Sequence, residues 1–294
     1  MSTVAMNRKS YRLTGDGTEV TFGNPVAKRE YNRSLFSIVA PRYDIATRVL
    51  SFGRDQAWKR TLLEKCGVTL EQVATGPEVA TEDPAVPSQD QNRPLRILDI
   101  ACGTGDLTQA LAARFPEAEV IGVDLNREML AEATRRLGIV AAEGGRGPDP
   151  SATPNVKPVS IQFLEGDMSA LPFPDGTFDL VTAGYALRNA PDLPATLAEI
   201  RRVLAPVGVL GILEFSRSPR PAVSAISGAL LQSWGSIWGV LLHGDAAVYG
   251  YIARSLAHYP DRTELAGLLR NHGFPRLDRT LRMFGLIEIT VATG

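Results

Sequence analysis

The segment LDIACGTGDLT, Leu98 to Thr108, constrains what this chain can fold into more than any other. An apolar, β-branched run carries an acid at Asp99, is followed by Gly103-Thr104-Gly105, and then takes on a helical pattern. That is a strand, a glycine turn and a helix N-terminus, an arrangement that lets backbone approach a nucleotide-like ligand closely. A second apolar run, VIGVDL, predicts the next strand and puts Asp124, followed by Leu125, at its carboxyl end. Two carboxylates then flank one glycine turn, with Asp124 near where a ribose would lie.

The dinucleotide fingerprint uses a third glycine for close helix packing beneath a pyrophosphate, and here that position is Thr108. A pyrophosphate ligand is therefore disfavoured. S-adenosylmethionine carries no phosphate and asks for less: close backbone approach at Gly103 and Gly105, and an acid that accepts from both ribose hydroxyls, as Asp124 can. A plain structural turn is the alternative for such a glycine pair. Two further runs, IQFLEGDM and TFDLVTAGYALRN, lead to Asp167-Met168 and to Arg188-Asn189. Ligands of open parallel sheets sit at the carboxyl ends of strands, so Asp99, Asp124, Asp167 and Arg188-Asn189 are expected around one crevice. Asp167 is suited to accept from an adenine amine and Met168 to pack on the purine face. The plainer roles are a Gly-Asp turn at 166–167 and helix-capping or loop-orienting work for Asp99.

With these residues in view, the chain resembles the ubiquinone/menaquinone biosynthesis C-methyltransferase family. The likeness runs through YDIATRVLSFGRDQAWKR, LDIACGTGDLT, GDMSALPFPDGTFD, YALRNAPD, RRVLAPVGVLGILEFS, DAAVYGYIARSL and YPDRTELAGLLRNHGF. Its specific elements are YD…SFG…WK, LRN and LEFS. The resemblance implies a Rossmann-like class I methyltransferase, with a seven-stranded, mostly parallel α/β sheet, one antiparallel strand, helices on both faces and a helical cap. It also implies methyl transfer from S-adenosylmethionine to a ring carbon of a prenylated hydroquinone, a demethylmenaquinol or the methoxy-benzoquinol precursor of ubiquinol. The cofactor residues it points to are Asp99, Gly103, Thr104, Gly105, Asp124, Leu125, Asp167 and Met168.

A ring carbon becomes a useful nucleophile when a neighbouring hydroxyl loses its proton, so such a site must stabilise a phenolate and hold that carbon in line with the methyl group. Arg188 is the first candidate, because a guanidinium stays charged and offers a rigid fork of donors; for the same reason it is a poor base. Asn189 is a candidate to hold a ring oxygen, and Tyr43 and Tyr185 to bond to or stack on the ring. The chain departs from the family at Thr47, at Gly184, in the turn Ala205-Pro206-Val207-Gly208 and in its tail, which leaves the ring type open. Two other readings are a methyltransferase of another phenolic or natural-product acceptor, and a non-catalytic cofactor-binding subunit of a quinone-synthesis assembly.

At 294 residues and 44% hydrophobic content the chain can bury a full core. Its 31 basic and 32 acidic residues leave no excess that would argue for nucleic acid. Cys66 and Cys102 do not make a disulfide framework, and His243, His258 and His272 lack metal-binding spacing. No metal is expected, and His243 is the one histidine to test as a proton shuttle. The expected organisation is a mobile arm over 1–30, a helical cap over 31–68, a loop insert over 69–94 and a cofactor-binding core over 95–215 interrupted by an insert at 138–158. A helical lid over 216–262 and a C-terminal helix with the last strands over 263–294 complete it. No secretion signal is evident, so the cytoplasm is expected, and a transit sequence at Arg8, Lys9, Ser10 and Arg12 is the alternative. The uncharged run Ala222 to Leu242 has the length of a membrane span, but four serines, three glycines and a glutamine dilute it. It reads as a buried helical insert or as a lid over the acceptor, with Trp234 and Trp238 on one face to line a tail channel or meet a membrane surface. A homodimer is a further expectation.

Overall fold

The computed structural model describes residues 24–75, 93–138 and 160–294. The chain opens with α1 (Pro25–Val39), a short turn at Ala40–Arg42, α2 (Tyr43–Leu50) and α3 (Asp55–Thr75). It then alternates β1 (Arg96–Ile100), α4 (Asp106–Arg114), β2 (Glu119–Asp124), α5 (Arg127–Leu137), β3 (Ser160–Glu165) and β4 (Phe178–Gly184). A turn at Leu187–Asn189 leads to α6 (Leu193–Val203) and β5 (Leu204–Phe215). The long helix α7 (Pro221–His243) and α8 (Ala247–Ala257) precede α9 (Arg262–Asn271), β6 (Arg276–Arg282) and β7 (Ile287–Thr293).

The seven strands form one sheet in the order β3-β2-β1-β4-β5-β7-β6, in which β7 alone runs against its neighbours. Strand order reverses between β1 and β4, which both pair in parallel, and this switch point opens a crevice at their carboxyl ends. The strands feed two apolar layers because alternate residues face opposite sides. Ile97, Leu180 and Val209 pack with Leu62, Cys66 and Leu111 on one face. Leu98, Val181 and Leu210 pack with Leu197, Ile200 and Leu265 on the other.

Two expected boundaries move. The arm expected over 1–30 is helical from Pro25, because Asn24 caps α1 by accepting from Val26 N and Ala27 N and Pro25 occupies the first turn. Residues 1–23, with the transit-sequence candidates, lie outside the described residues. The insert expected from 69 begins later, since α3 runs through Thr75 on the helix formers of LEQVA; residues 76–92 lie outside the described set. Gly138 ends α5 in a left-handed cap, and residues 139–159, nearly all of the second expected insert, also lie outside it.

The run Ala222 to Leu242 is helical within α7, as expected, but it is not buried. Val223, Ile226, Leu230, Ile237, Val240 and Leu241 are exposed at spacings that make one stripe. The opposite stripe lies on α8 at very short range. A Cβ at Gly235 would stand 2.6 Å from Tyr249 O, and one at Gly239 would stand 2.4 Å from Asp245 O, so only glycine permits this approach.

Candidate active site

Two cavities meet above the switch point. One, with about 730 Å³ of empty space, is lined by Gly103, Asp124, Leu125, Met129, Asp167 and Met168 together with Asn189 and Arg29. The other, about 670 Å³, is lined by the apolar side chains of Leu35, Val39, Leu50, Trp58 and Ile252, by Arg188, and by Tyr249 and Tyr251. Phe36, Tyr43 and Tyr185 line both and so form their shared wall.

The first cavity has the features expected of a nucleoside site. Asp124 accepts from Gly103 N and Asn126 N, both at 2.8 Å, one on each carboxylate oxygen. Those bonds fix the carboxylate while each oxygen keeps a further lone pair. Burial pushes the Asp124 carboxyl up, and the backbone N–H groups of Asn126, Gly103 and Leu125 pull against it. Gly103 takes φ +57, and a Cβ there would meet only the Tyr43 ring edge at 4.0 Å. The turn thus presents bare backbone to the cavity. Asp167 accepts from Ser169 N at 2.9 Å and pairs with Arg29 at 2.6 Å, so the Gly-Asp turn and the cavity lining are one structure.

Three residues expected at the cofactor lie elsewhere. Asp99 is fully buried, accepts from Thr108 Oγ1 at 2.7 Å and Thr182 Oγ1 at 2.9 Å, and lines neither cavity. It orients the loop from beneath, and this bond is what Thr108 does in place of a third glycine. Thr104 donates to Asp44 Oδ1 at 2.9 Å, which ties the turn to α2 rather than to a ligand. Gly105, at φ +78, is required by packing: a Cβ there would stand 2.9 Å from the Phe163 ring and 3.1 Å from Ala133 Cβ.

The second cavity gathers the residues expected at the acceptor. Arg188 is buried, donates from Nη1 to Glu214 Oε1 at 2.6 Å and to Tyr185 O at 2.8 Å, and lies over the Phe215 ring at 5.1 Å. Its Nε–H has no partner among the described residues. Burial weighs against the charged guanidinium, but Glu214 prevails and holds its pKa above the usual value. Tyr185 sits at φ +57, a left-handed backbone rare outside glycine, and its buried hydroxyl has no partner among the described residues. Burial raises the pKa of Tyr43 and of Tyr185. Asn189 departs from expectation: it borders the nucleoside cavity, and its Oδ1 lies 2.6 Å from the Tyr251 hydroxyl. Trp234 stacks on Phe52 at 5.0 Å, and neither it nor Trp238 lines either cavity.

Sequence reasoning did not assign four residues that complete the site. Glu214, within LEFS, is the counter-ion of Arg188, and its signal is a lone acid inside the apolar run of β5. Lys28 donates to Ala190 O at 2.5 Å and Asn32 Nδ2 to Asn189 O at 2.8 Å, so α1 clamps the Leu187–Asn189 turn. Burial, then Arg188, lowers the Lys28 ammonium to about 8. Arg29 lines the rim of the nucleoside cavity, and the Asn24-Pro25 start of its helix is a signal that could have placed it.

The model of the ubiE/COQ5 methyltransferase family matches residues 25–293. The demethylmenaquinone methyltransferase of Thermus thermophilus is 35% identical over 87% of this chain and 98% of its own length. The ubiquinone/menaquinone biosynthesis C-methyltransferase of Methylobacterium nodulans is 32% identical over 94% of this chain and 97% of its own. Among solved structures, a chain in the complex of the Haloferax volcanii Trm112 methyltransferase activator with a methyltransferase superposes with a TM-score of 0.50 at 17% identity, covering 88% of this chain and 96% of that one, a likeness of fold. The bare glycine turn beside an anchored Asp124, set against a second cavity with a buried arginine, is thus the site of a chain that belongs to the ubiE/COQ5 methyltransferase family and takes S-adenosylmethionine as its cofactor.

Proposed function

We propose that the protein methylates a ring carbon of a prenylated hydroquinone, with the ring in the apolar cavity against Arg188. The observation that carries this is the pairing of two cavities through one wall of Phe36, Tyr43 and Tyr185. The names of the relatives, which cover both naphthoquinone and ubiquinone rings, agree with that class of acceptor. Gly103, Asp124, Leu125, Asp167 and Met168 would hold the cofactor, which supplies an electrophilic methyl group. Arg188, charged and buried, lowers the pKa of the ring hydroxyl and stabilises the phenolate, while Glu214 holds the guanidinium in place. Tyr43 and Tyr185 orient the ring and keep water out.

The prenyl tail suggests how the acceptor arrives. The apolar stripe of α7 carries no charge, and Ile45, Phe52 and Phe284 are also exposed. Phe52 and Phe284 both sit at positive φ, next to residues Ser51 and Met283 that line the apolar cavity. Phe284 is fully exposed, and Phe52 is exposed on the side away from its stack with Trp234. We read α7 and these rings as a peripheral contact with the inner face of a membrane, from which a tailed quinol enters the cavity of a cytoplasmic enzyme.

The test is transfer of labelled methyl from S-adenosylmethionine to reduced demethylmenaquinol and to the reduced methoxy-benzoquinol, with oxidised quinones as controls and mass spectrometry to locate the label. Label on a ring carbon with reduced acceptor alone supports the reading. Measured cofactor binding without transfer to either ring overturns it.

A further inference from the structure

Among the described residues, the apolar cavity is lined by no aspartate, glutamate, histidine or lysine, yet ring methylation must release one proton. Arg188 cannot take it, because a guanidinium stays protonated. The remaining titratable groups on the wall are the hydroxyls of Tyr43, Tyr185, Tyr249 and Tyr251. Tyr185 has no hydrogen-bond partner among the described residues, and Tyr251 is taken up by Asn32 and Asn189. Tyr249 is different: its hydroxyl lies 2.9 Å from His243 Nε2.

We propose that Tyr249 and His243 form the proton exit of the acceptor cavity. This rests on the acceptor reading above and adds to it the path the proton takes. Tyr249 is 5% exposed and lines the cavity from α8. His243 is the last residue of α7, partly exposed, and stands before the Gly244 turn. The glycine contacts that press α7 onto α8 at Gly235 and Gly239 bring the two residues together. Arg42, which donates to Leu242 O, and Tyr43 face the pair from the turn before α2 and from α2 itself, and Asp245 lies on the connection between α7 and α8. Burial, then Arg42, lowers the His243 pKa, which favours the neutral imidazole that can accept.

The proton balance is simple. The ring hydroxyl gives its proton to Tyr249 Oη while the Tyr249 proton moves to His243 Nε2. The electron pair left on oxygen drives the ring carbon onto the methyl group, and the pair of the broken carbon–sulfur bond stays on sulfur. The methylated carbon then loses its own hydrogen as the ring regains aromaticity and its oxygen regains a proton. One proton leaves, from His243 to solvent.

The experiment uses the full chain with His243→Gln, His243→Ala and Tyr249→Phe, assayed by label transfer from about pH 6 to about pH 9. The expected result is a kcat about 10- to 100-fold lower in His243→Gln and Tyr249→Phe, with KM for both substrates within about twofold and the rising limb of the profile displaced to higher pH. Added imidazole should restore His243→Ala in proportion to its free base. Unchanged kcat and pH profile in His243→Gln and Tyr249→Phe overturns the exit. A second readout needs no turnover: with three histidines in the chain, nitrogen-15 NMR resolves the tautomer of His243. The exit requires a proton on Nδ1 and an unprotonated Nε2 whose resonance moves in Tyr249→Phe, and a proton on Nε2 at neutral pH refutes it. A wild-type chain that transfers no methyl refutes the acceptor reading instead, and the NMR result still decides the geometry.

Discussion

Glu214 holds Arg188 by two routes at once: Oε1 accepts from Nη1 at 2.6 Å and Oε2 from the Arg188 backbone N–H at 3.2 Å, with both side chains buried. The carboxylate therefore sets the position of the backbone turn as well as that of the guanidinium. Removing one partner of a buried pair leaves an uncompensated charge and costs about 3–5 kcal/mol. Glu214→Ala should lose that much stability in denaturant titrations. Arg188→Lys should fold, keep its affinity for S-adenosylmethionine within about twofold and lose about 10²-fold or more in kcat, because an ammonium does not reproduce the fork. Full turnover in Arg188→Lys would remove the oxyanion role.

Asp124 has a double duty that predicts a larger effect than a lost ribose contact alone. Its carboxylate anchors Gly103 N and Asn126 N, so Asp124→Ala frees two backbone donors and loosens the turn that lines the proposed cofactor cavity. Each bond to a charged group contributes about 1.5–3 kcal/mol. Calorimetry should show S-adenosylmethionine affinity reduced by about 10²-fold, and unchanged affinity would take Asp124 out of the site.

The sign of the Asp99 effect separates loop support from ligand contact. Burial lifts this carboxyl from 3.8 to about 6, against the hydroxyls of Thr108 and Thr182. Between about pH 4 and pH 6 the unfolded chain ionises at this position before the folded chain does, so the unfolded state binds fewer protons and stability falls as pH rises. That difference corresponds to about 3 kcal/mol. Asp99→Asn removes the penalty, so its stability relative to wild type should grow by about that amount from pH 4 to pH 7 in denaturant titrations. Because Asp99 lines neither cavity, cofactor affinity should change only a few-fold.

The difference between Asp99 and Asp124 also shows what the sequence could convey. Both acids stand at strand ends beside one glycine turn, and strand periodicity with the switch-point rule placed them together, although only Asp124 lines a cavity. Which acid lines the cavity depends on the sheet face each side chain takes and on partners such as Thr182, eighty-three residues away, and no local pattern encodes that. Gly105 is similar: its motif position suggested ligand approach, whereas the contact that requires glycine is the Phe163 ring. Glu214 was visible as a lone acid in an apolar strand, but its partner became evident only when β5 and the Leu187–Asn189 turn came together. The helical start at Pro25 was readable from Asn24-Pro25 and was obscured by the polar, aperiodic residues before it.

The α7 face makes a prediction about the kind of membrane binding involved. The stripe of Val223, Ile226, Leu230, Ile237, Val240 and Leu241 is exposed, and the run Ala222 to Leu242 contains no charged residue. Binding through this face should draw on apolar burial, at about 25 cal/mol per Å², rather than on attraction to anionic lipid. Sedimentation with zwitterionic vesicles should therefore be nearly independent of salt, in contrast to the screening expected for charged contacts. Ile226→Asp with Leu230→Asp should release the protein, while its activity on a quinol with a truncated, water-soluble tail stays unchanged, because neither residue lines a cavity. Release that tracks salt in the wild type, or equal retention of the double variant, would exclude α7 as the contact and turn attention to Phe52 and Phe284.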